Sequence, residues 1–394
     1  MSKRMEREVW ALDRCAGCGL CVSTCSKGML HWDEEAKHPT REVRQKRIGL
    51  TEIPLDTCSF CQVFCEETCP RLHEWEGLPA RRTVSARAKG PVENGDPMDV
   101  IRALLIANLS AGAIDGVIAN DVDDWTLEPR ARLMTRVEEL ADSLGVQGLW
   151  VPTLDILNEA VYVKKLSKVA VVGTPCVSEG LRTLRASEND RLNPYKEALR
   201  LSIAVFCTGA YYPGEVRRFL EEKMGVSGRE VKRVCISPRA KEMSVILWDG
   251  STKSVPLSKI EGFTRSGCAV CDDYLGESAD IAVGRVGAKD GYSTVIARTE
   301  TGEECLRNAV DLGLLETVEE VDEKALRAVK EEKERRDRAQ AFDDLMLMML
   351  DALREPQKRA EVRNEFVRLY EVESVAECVK EGTSHGGCAL CSGC

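Results

Sequence analysis

The sequence predicts an α/β protein with a mixed α+β sheet core, a cysteine-rich N-terminal segment and a helical, cysteine-rich C-terminal extension. Between residues 98 and 316, short apolar runs alternate with amphipathic stretches, which is typical of strands and helices in turn. Eighteen cysteines are present, and most of them lie in groups near the two ends of the chain. Residues 317–372 are heavily charged and have helical periodicity, which predicts the extension.

The first elements of the core have clear start and stop signals. A helix is predicted over residues 98–109, MDVIRALLIANL, because its apolar residues recur at helical spacing. Asp96 is a candidate N-cap, and Pro97 takes the first helical position, where a missing N–H is tolerated. Residues 114–121, IDGVIAND, predict a strand that ends in acidic loop residues. Residues 132–145 predict a second helix that stops at a glycine.

The next stretch repeats the alternation of strand and helix. Residues 164–176, KKLSKVAVVGTPC, predict one strand and residues 201–209, LSIAVFCTG, predict another. A helix is predicted after each strand, one from Glu179 and one over residues 213–225. Because helices separate these strands, we expect the core to be largely parallel. Residues 230–257 instead predict strands joined by turns, so part of the core is expected to be antiparallel.

Composition and charge exclude several classes of function. The chain of 394 residues has a formal net charge of −10, which argues against a nucleic-acid surface because such surfaces are basic. No apolar segment predicts a signal peptide, and none reaches the ~18 residues of a membrane span. The four histidines all lie outside residues 74–384, which excludes a histidine-based catalytic site in the central region. We therefore expect a cytoplasmic protein that binds no nucleic acid and has no transmembrane segment.

The chain divides into five predicted segments. Their boundaries are 1–75 for an N-terminal domain, 76–97 for a linker, 98–316 for the α/β core, 317–372 for the helical extension and 373–394 for a cysteine-rich tail. The linker is rich in Gly, Pro and Arg, which is typical of a solvated connector, although its arginines also suit the entrance to an anionic ligand's site. The extension contains the apolar run FDDLMLMMLDAL, which favours either packing on the core or docking of a partner.

The N-terminal cysteines form two compressed groups. The first group, spaced C-x2-C-x2-C-x3-C, is Cys15, Cys18, Cys21 and Cys25. The second group, spaced C-x2-C-x3-C-x3-C, is Cys58, Cys61, Cys65 and Cys69. The first spacing is the bacterial ferredoxin run, in which the fourth cysteine often binds the other 4Fe-4S cluster. Zinc is the alternative, but zinc ribbons favour C-x2-C pairs separated by a longer loop. The sequence therefore predicts a ferredoxin-like domain with two 4Fe-4S clusters.

Two further sets of four cysteines lie in the core and in the tail. The core set is Cys176, Cys207, Cys268 and Cys271. We expect these cysteines to lie where strands end, which is where ligands bind in open α/β sheets. The tail set is Cys378, Cys388, Cys391 and Cys394, for which a zinc site or a tail without metal is the alternative. Only Cys235 and Cys305 remain outside the four sets, and both are expected to be buried apolar thiols.

Three motifs carry a resemblance to a known family. They are VAVVGTPCVSEGLRTLR, then IAVFCTG, and then GCAVCDDYLGESADIAVGRVGAKDGYSTVIARTETGEE. Their combination is similar to the beta-subunit family of coenzyme F420 hydrogenases and dehydrogenases. This family includes the beta subunits of F420-reducing hydrogenase and F420-dependent formate dehydrogenase, and the input subunit of F420H2 dehydrogenase. The resemblance covers roughly residues 90–305, and the N-terminal double-ferredoxin segment occurs in several members.

The resemblance implies an oxidoreductase subunit that transfers a hydride between coenzyme F420 and FAD. About four 4Fe-4S clusters, one of them bound by the core cysteines, would then relay single electrons to a partner. That partner would be a hydrogenase, formate dehydrogenase, heterodisulfide reductase or F420H2 dehydrogenase subunit, or a soluble ferredoxin. The residues implied at the flavin are Gly284, Gly287, Gly291, Tyr292, Ser293 and Thr294. The family also implies an anaerobic, archaeal and methanogenic setting, with the protein in the cytoplasm or at the periphery of a membrane complex.

One position departs from the family pattern. Members usually have a Gly-Gly-x-x-Thr run close to the flavin, whereas the matching residues here are Met98, Asp99 and Arg102. A Gly-Gly pair allows a cofactor to approach the backbone, while Met-Asp blocks that approach and adds a charge. Arg102 is a candidate FAD-binding residue because a guanidinium can hydrogen-bond an anionic cofactor. The alternative hypothesis is a non-catalytic iron–sulfur relay subunit with a lost or altered flavin site.

Overall fold

The N-terminal segment consists of short helices and two hairpins. The computed structural model describes residues 3–33, 35–41, 44–48, 51–55, 64–89, 96–122, 128–141, 148–237 and 241–354. The first helices are α1 (Lys3–Met5), α2 (Leu20–Ser23) and α3 (Phe64–Glu67). The antiparallel hairpins are β1 (Leu30–Asp33) with β2 (His38–Arg41) and β3 (Arg44–Ile48) with β4 (Thr51–Leu55). Of the first cysteine group, Cys15 and Cys18 precede α2, Cys21 lies in α2, and Cys25 follows it.

Within the described residues, a mixed sheet of eight strands forms the centre of the molecule. The remaining strands, in chain order, are β5 (Arg82–Ala88), β6 (Gly116–Val122), β7 (Pro129–Met134), β8 (Val169–Gly173), β9 (Leu199–Val205), β10 (Val231–Ser237), β11 (Glu242–Leu247), β12 (Thr252–Pro256), β13 (Ile281–Gly284), β14 (Ser293–Ala297) and β15 (Leu315–Val318). The central strand order is β15-β5-β14-β13-β9-β8-β6-β7. Strands β13, β9, β8 and β6 are parallel, and antiparallel strands flank them on both sides. This arrangement confirms the predicted fold class.

Helices cover both faces of the sheet. In chain order they are α4 (Pro97–Ser110), α5 (Val137–Ala141), α6 (Pro175–Ala186), α7 (Asn193–Ala198), α8 (Pro213–Met224), α9 (Glu300–Asp311) and α10 (Glu323–Arg354). Helices α4 and α9 share one apolar cluster with Ala170 and Val172 of β8. Helices α6 and α7 share another with Val169 and Val171, and side chains alternate between the faces of a strand. The second cluster also contains Leu20, so the N-terminal segment helps to cover that face.

The helix ends follow the predicted signals. Asp96 caps α4, and its carboxylate accepts a hydrogen bond of 2.9 Å from the Met98 N–H, with Pro97 at the first helical position. Helix α8 ends at Gly225, whose left-handed φ of +60° is favourable for glycine. Cys305 is fully buried in α9, as expected for an apolar thiol, and burial raises its pKa to about 12.

The predicted linker contains a strand of the central sheet. Strand β5 occupies residues within the range 76–97 and pairs with both β14 and β15. The linker prediction is therefore wrong for this part of the chain. Val84 and Ala86 are fully buried and alternate with more polar residues, which is the period of a half-buried strand. The arginines and the flanking Gly and Pro residues obscured this alternation in the sequence.

The helix predicted over residues 132–145 is wrong for its first residues. Strand β7 includes Arg132, Leu133 and Met134, and among the described residues of this range Val137–Ala141 forms a helix. Residues 142–145 lie outside the described residues. Met134 pairs with Val117 of β6, so β7 completes one edge of the sheet. Pairing with an open strand edge overrides the local helical periodicity, because tertiary contacts outweigh weak intrinsic propensity.

The predicted antiparallel part is a separate sheet of three strands. Strand β11 pairs with β10 on one side and with β12 on the other, both in antiparallel register. Val231, Met243 and Val245 of this sheet pack against Val216 and Leu220 of α8 in one apolar cluster. The predicted antiparallel strands and turns are therefore confirmed. They form a sheet of their own and do not belong to the eight-stranded sheet beside which the core cysteines lie. The side chain of Cys235 lies outside the described set.

The chain forms two compact units. The first comprises Met1–Cys268 and Asp273–Lys333, and the second comprises Ala269–Asp272 and the residues from Glu334 onward. The predicted N-terminal domain is thus part of the first unit rather than a separate body. The helical extension begins later than predicted, since Leu315–Val318 is a strand and α10 starts at Glu323. None of the helices in the described ranges has the length and apolarity needed to cross a membrane.

Candidate redox site

Two of the core cysteines lie where parallel strands end. Strand β8 ends at Gly173, three residues before Cys176, and β9 ends at Val205, two residues before Cys207. The two strands pair in parallel, so their carboxyl ends lie at the same edge of the sheet. Strand β13 also pairs in parallel with β9, which brings the glycine loop after Gly284 to this edge. The sheet therefore gathers Cys176, Cys207 and the glycine loop, as the sequence predicts.

Cys268 reaches the site by a different route. It lies on the 3-10 turn Ser266–Cys268, whereas the sequence suggested the end of a strand. The Ala210 N–H points at its sulfur at 3.4 Å, and the Arg265 N–H donates to the Ala210 carbonyl at 2.9 Å. The Cys207 N–H in turn donates to the Tyr274 carbonyl at 3.1 Å. Two connecting segments thus run side by side and carry Cys207 and Cys268. Cys271 is buried and belongs to the second compact unit.

The thiol of Cys176 lies between its own helix and the N-terminal segment. Its sulfur is 3.0 Å from the Thr174 hydroxyl and 3.8 Å from the Ala16 carbonyl oxygen. Cys176 occupies the first turn of α6, where the free N–H groups and the helix dipole favour negative charge on a thiolate. Such a position suits a sulfur ligand of a metal centre.

Three cysteines of the first N-terminal group lie close to the last cysteine of the second group. Cys21 and Cys69 are buried in one cluster, against which Cys15 and Cys65 pack. Burial raises the pKa of Cys21 well above its ordinary value, and the charges of Cys18, Cys15, Cys69 and Cys65 raise it further. Burial likewise raises the pKa of Cys18 to about 12. Thiolates that are buried and repel one another fit a bound metal cluster, whose positive charge replaces solvent.

The first cysteine loop contains two glycines whose backbone is left-handed. Gly17 and Gly19 have left-handed φ values of +72° and +85°. A side chain on Gly17 would overlap Trp150 and Arg265, and one on Gly19 would come within 2.8 Å of the Pro152 carbonyl oxygen. The loop is therefore pressed against the α/β core as well as tightly turned.

The remaining predicted ligands are described in part. Cys25 accepts a hydrogen bond of 3.3 Å from the Met29 N–H, and Cys65 is half-buried. The other predicted ligands lie outside the described residues, namely Cys58, Cys61, Cys378, Cys388, Cys391 and Cys394. In the ranges that the structure describes, no three cysteine, histidine or carboxylate side chains converge on a single metal ion. Ligands of a 4Fe-4S cluster each bind a different iron atom, so they do not have to converge in that way.

The first cysteine loop and the core cysteines are in direct contact. The Cys176 sulfur lies against the carbonyl of Ala16, which is one residue after Cys15. On the other side, Gly267 packs so closely that an added Cβ would overlap the Cys15 carbonyl. Arg71, just beyond the second group, donates to the Gly267 carbonyl at 3.1 Å. The first N-terminal cysteine group and the core cysteines are far apart in sequence, yet they lie on backbone segments that contact each other directly.

The glycine loop after β13 is filled mainly by protein. A Cβ on Gly284 would overlap the Phe206 ring, and one on Gly287 would lie 2.9 Å from both the Asp322 carbonyl oxygen and Leu326. Only Gly291 of the three glycines faces open space, with a left-handed φ of +79°. These residues line the sheet edge, but two of the three glycines serve packing within the chain.

The polar residues implied at the flavin have partners within the chain. Ser293 and Thr294 are fully buried in β14, and the Thr294 hydroxyl donates to the Val286 carbonyl at 2.8 Å. The Tyr292 hydroxyl donates to Glu316. Thr294 thus closes the base of the loop, and Tyr292 ties the loop to β15.

Arg102 and the start of α4 are also engaged internally. The Arg102 guanidinium pairs with Asp99 at 2.5 Å and donates to the Leu140 carbonyl at 3.1 Å. At the N-terminus of α4, the Asp96 carboxylate also pairs with Arg285 of the glycine loop at 2.7 Å. The helix end that faces this loop therefore already holds a carboxylate, and Arg102 binds residues of its own helix and of α5.

Comparison with known proteins decides the family. Residues 83–158 and 166–323 match the N-terminal and C-terminal models of the coenzyme F420 hydrogenase/dehydrogenase beta subunit, and together these matches cover more than half of the chain. The chain belongs to the coenzyme F420 hydrogenase/dehydrogenase beta-subunit family. Residues 14–72 of this family member also match the 4Fe-4S dicluster domain, which confirms the iron–sulfur character of the N-terminal segment.

Relatives extend this result over most of the chain. An uncharacterized protein of Methanocaldococcus jannaschii is 35% identical over 82% of this chain and 94% of its own length. The coenzyme F420-dependent sulfite reductase of the same organism is 32% identical over 78% of this chain, but the match spans only 48% of that enzyme. A chain of the F420-reducing [NiFe] hydrogenase complex from Methanosarcina barkeri superposes with a TM-score of 0.60 at 26% identity, covering 68% of this chain and 92% of that one.

Two buried cations at the site have no signal in the sequence. Arg265 is 2% exposed and lies beside the first cysteine loop. Lys333 is 5% exposed and donates to the carbonyls of Cys207 and Asp273 at 2.8 and 2.7 Å. Burial raises the pKa of Asp273 to about 7, and the charges of Glu179 and Glu277 add to this effect while Lys333 opposes it. Sequence reasoning missed both cations because a lone Arg or Lys is ordinarily a surface residue.

Proposed function

We propose that this chain is the redox subunit that exchanges a hydride between coenzyme F420 and FAD and passes single electrons through 4Fe-4S clusters to a partner protein. The contact between Cys176 and Ala16 carries this proposal. It joins the sheet edge, where α/β proteins bind cofactors, to the first loop of the dicluster domain. The F420-dependent reductase and the F420-reducing hydrogenase complex among the similar proteins support F420 as the substrate.

The burial pattern supports a division of the ligands between two N-terminal clusters. In this division, three cysteines of the first group bind the first cluster together with the last cysteine of the second group, since the charges of Cys18 and Cys15 act on Cys69 and Cys21 is buried beside it; the four ligands are Cys15, Cys18, Cys21 and Cys69. The exchange leaves Cys25 to join Cys58, Cys61 and Cys65 at the second cluster, which is the crossed pattern of two-cluster ferredoxins. The core set of Cys176, Cys207, Cys268 and Cys271 binds a third cluster, and the four tail cysteines bind a fourth.

The bound cofactors supply the chemistry, because a deazaflavin donates a hydride, a 4Fe-4S cluster accepts one electron, and a flavin can deliver a pair of electrons singly. The chain's own residues position these groups and exclude water from them. Lys333 fixes the backbone at Cys207 by donating to its carbonyl. Cys176 and Gly267 hold the first cysteine loop against the sheet edge. Close contact of two ligand loops favours rapid electron transfer between the clusters that they hold.

A relay subunit without flavin is the second candidate function, and one observation favours it. The Asp96 carboxylate occupies the N-terminus of α4 and pairs with Arg285. Met98 is buried where the family usually has glycine, so the helix start offers neither open backbone nor a free positive end to an anionic cofactor. In this case another subunit would hold the flavin.

The decisive experiment is an F420 assay on protein purified without oxygen and reconstituted with FAD. We expect reconstituted protein to reduce F420 with an artificial electron donor. Protein that binds FAD stoichiometrically and is inactive toward F420 would contradict the proposed substrate. Protein that keeps its clusters and takes up no FAD would instead establish the relay function.

A further inference from the structure

Arg265 is buried in the first compact unit without an acidic partner. It is 2% exposed and is among the largest fully buried side chains. Among the described residues it forms no ion pair with a carboxylate. Its side chain donates instead to the backbone carbonyls of Cys15 at 3.1 Å and Lys37 at 3.3 Å. Burying a guanidinium without a counter-charge is costly, so its position calls for a compensating function.

Three aromatic rings lie close to the guanidinium. Its central carbon lies 4.3 Å from the Trp150 ring centre, 5.1 Å from that of Tyr212 and 5.4 Å from that of Trp32. The faces of these rings attract a cation and shield it from solvent. Trp150 also donates its indole N–H to the Gly17 carbonyl at 2.9 Å, which locks the ring against the cysteine loop.

The backbone of Arg265 belongs to the other cysteine site. Its N–H donates to the Ala210 carbonyl at 2.9 Å, and its carbonyl accepts from the Cys268 N–H at 3.0 Å. The residue therefore starts at the core cysteines and ends with its charge beside Cys15. Among the residues that the structure describes, two buried guanidinium nitrogens, Nε and Nη1, have no hydrogen-bond partner. Unsatisfied buried N–H groups indicate a partner that the loaded protein supplies.

We propose that Arg265 is a positioning residue that raises the reduction potential of the cluster at Cys15, Cys18, Cys21 and Cys69. The inference rests on the proposed cluster at that site. A fixed positive charge stabilises the reduced cluster, which carries one more negative charge, and N–H groups directed at cluster sulfur act in the same sense. The charge lies beside the first cysteine loop, which contacts the core site, so it draws electrons from the core cluster toward the N-terminal domain.

Two substitutions separate the charge from the hydrogen bonds. Arg265→Gln keeps a donor to the Cys15 carbonyl and removes the charge, whereas Arg265→Met removes both and keeps an unbranched side chain. Arg298→Met is the matched control, because Arg298 is also buried and donates to two backbone carbonyls, those of Leu78 and Leu275, away from the N-terminal loop. The full chain is purified without oxygen, its iron is measured, and its clusters are titrated by EPR at poised potentials.

The expected result is a lower potential for one cluster in both Arg265 variants. A unit charge about 10 Å away at an effective dielectric constant of about 20 changes such an equilibrium roughly tenfold. The ratio of reduced to oxidised cluster should therefore fall about tenfold at fixed potential, which is about 59 mV for one electron. The control should leave that potential unchanged.

Two results would overturn the proposal. Unchanged potentials in both variants at full iron content would leave Arg265 only a packing role. Loss of about four iron atoms from Arg265→Gln and Arg265→Met alike would show that the residue only holds the loop. Absence of iron from the wild-type N-terminal domain would instead contradict the proposed function, so the two failures are distinguishable.

Discussion

The N-terminal cysteine loop and the glycine loop after β13 carry the sequence signals of the two proposed cofactor sites in opposite ways. In the cysteine loop, side chains that are present supply the ligand atoms, and burial with mutual repulsion marks them as a set. In the glycine loop, the signal is the absence of side chains on the glycines. The space that such an absence leaves can be filled by a cofactor or by another part of the protein. Phe206 fills the room at Gly284, and Leu326 fills it at Gly287.

Cysteine motifs and glycine motifs therefore differ in how specifically they predict a ligand site. Thiolate ligands at close spacing have few other uses in a reducing compartment, so their pattern predicts chemistry directly. Glycines are required wherever the backbone turns sharply or packs closely, with or without a ligand. The cysteine spacing is therefore a more specific signal for iron–sulfur clusters than the glycines are for a flavin. The variants below test the residues of the cysteine sites or those of the glycine loop.

The largest effect is expected for Cys176→Ala. Removal of this thiol should release about four iron atoms per chain and abolish F420-dependent electron transfer to the N-terminal clusters. Cys305→Ala is the control, because it also deletes a buried thiol but lies in α9 and should cost roughly 1 kcal/mol of stability without loss of iron. Iron analysis and single-turnover spectra measure both effects. Full iron in Cys176→Ala would remove this residue from the core set.

A large effect on stability is expected for Gly267→Ala. The new Cβ would overlap the Cys15 carbonyl, and two backbone segments would have to separate, so we expect a loss of about 3 kcal/mol. A Cβ added at Gly262, in the same connecting segment, would have no atom within 4 Å. Gly262→Ala should therefore leave the stability of the protein almost unchanged. Denaturant unfolding measures stability, and stopped-flow spectra should show slower electron transfer between clusters. If Gly267→Ala and Gly262→Ala were equally stable and transferred electrons at the same rate, the close contact between Gly267 and the Cys15 carbonyl would be refuted.

A smaller, pH-dependent effect is expected at Asp155, which lies beside Gly19 of the cysteine loop. Burial raises the pKa of its carboxyl from 3.8 to about 6, although backbone N–H groups oppose the shift. Between these pH values the native state binds more protons than the unfolded state, so the contribution of Asp155 to stability is lost as pH rises.

The variant Asp155→Asn cannot ionise and should avoid that loss. We expect it to be more stable than the wild type at pH 7.5 by about 2 kcal/mol and similar at low pH. Denaturant unfolding at pH 3, below both pKa values, and at pH 7.5, above both, measures the difference. A variant that is less stable by the same amount at both pH values would show that Asp155 serves only through its hydrogen bonds.

The smallest effect on stability is expected for Asp96→Ala, which tests the glycine-loop side. Loss of the N-cap should cost about 1 kcal/mol. The same change frees the N-terminus of α4 and removes the partner of Arg285, so FAD affinity should rise if Asp96 obstructs the flavin. Asp115→Ala is the control, because Asp115 is also a half-buried carboxylate that accepts hydrogen bonds from backbone N–H groups. Unchanged or weaker FAD binding would show that Asp96 is not the obstruction.

Much of the fold could be read from the sequence because local signals agreed with tertiary packing. The cap at Asp96, the strand before Cys176 and the glycine end of α8 each combine a stop or start signal with a periodic apolar pattern. The sequence failed where pairing decided the structure. The arginines of β5 obscured the alternation of buried and exposed residues in that strand. Strand β7 has a sequence with helical periodicity, but it pairs with the edge of the sheet.

The candidate site was predictable to a similar extent. Spacing identified the ligand types and the strand ends identified Cys176 and Cys207, because both signals are local. The ferredoxin spacing already indicated an exchange of cysteines between the two N-terminal groups, which agrees with the burial of Cys69 beside Cys21. The placement of Arg265 beside Cys15 depends instead on contacts across long sequence separations. No periodicity or spacing records such contacts, so this feature required the structure.

The most direct test of the central claim is the iron and flavin content of protein purified without oxygen, together with its visible spectrum. We expect about sixteen iron atoms per chain, four for each cysteine set, and one FAD after reconstitution. A protein that holds zinc in place of iron, or whose iron content stays the same when Cys69 and Cys176 are replaced, would contradict the account.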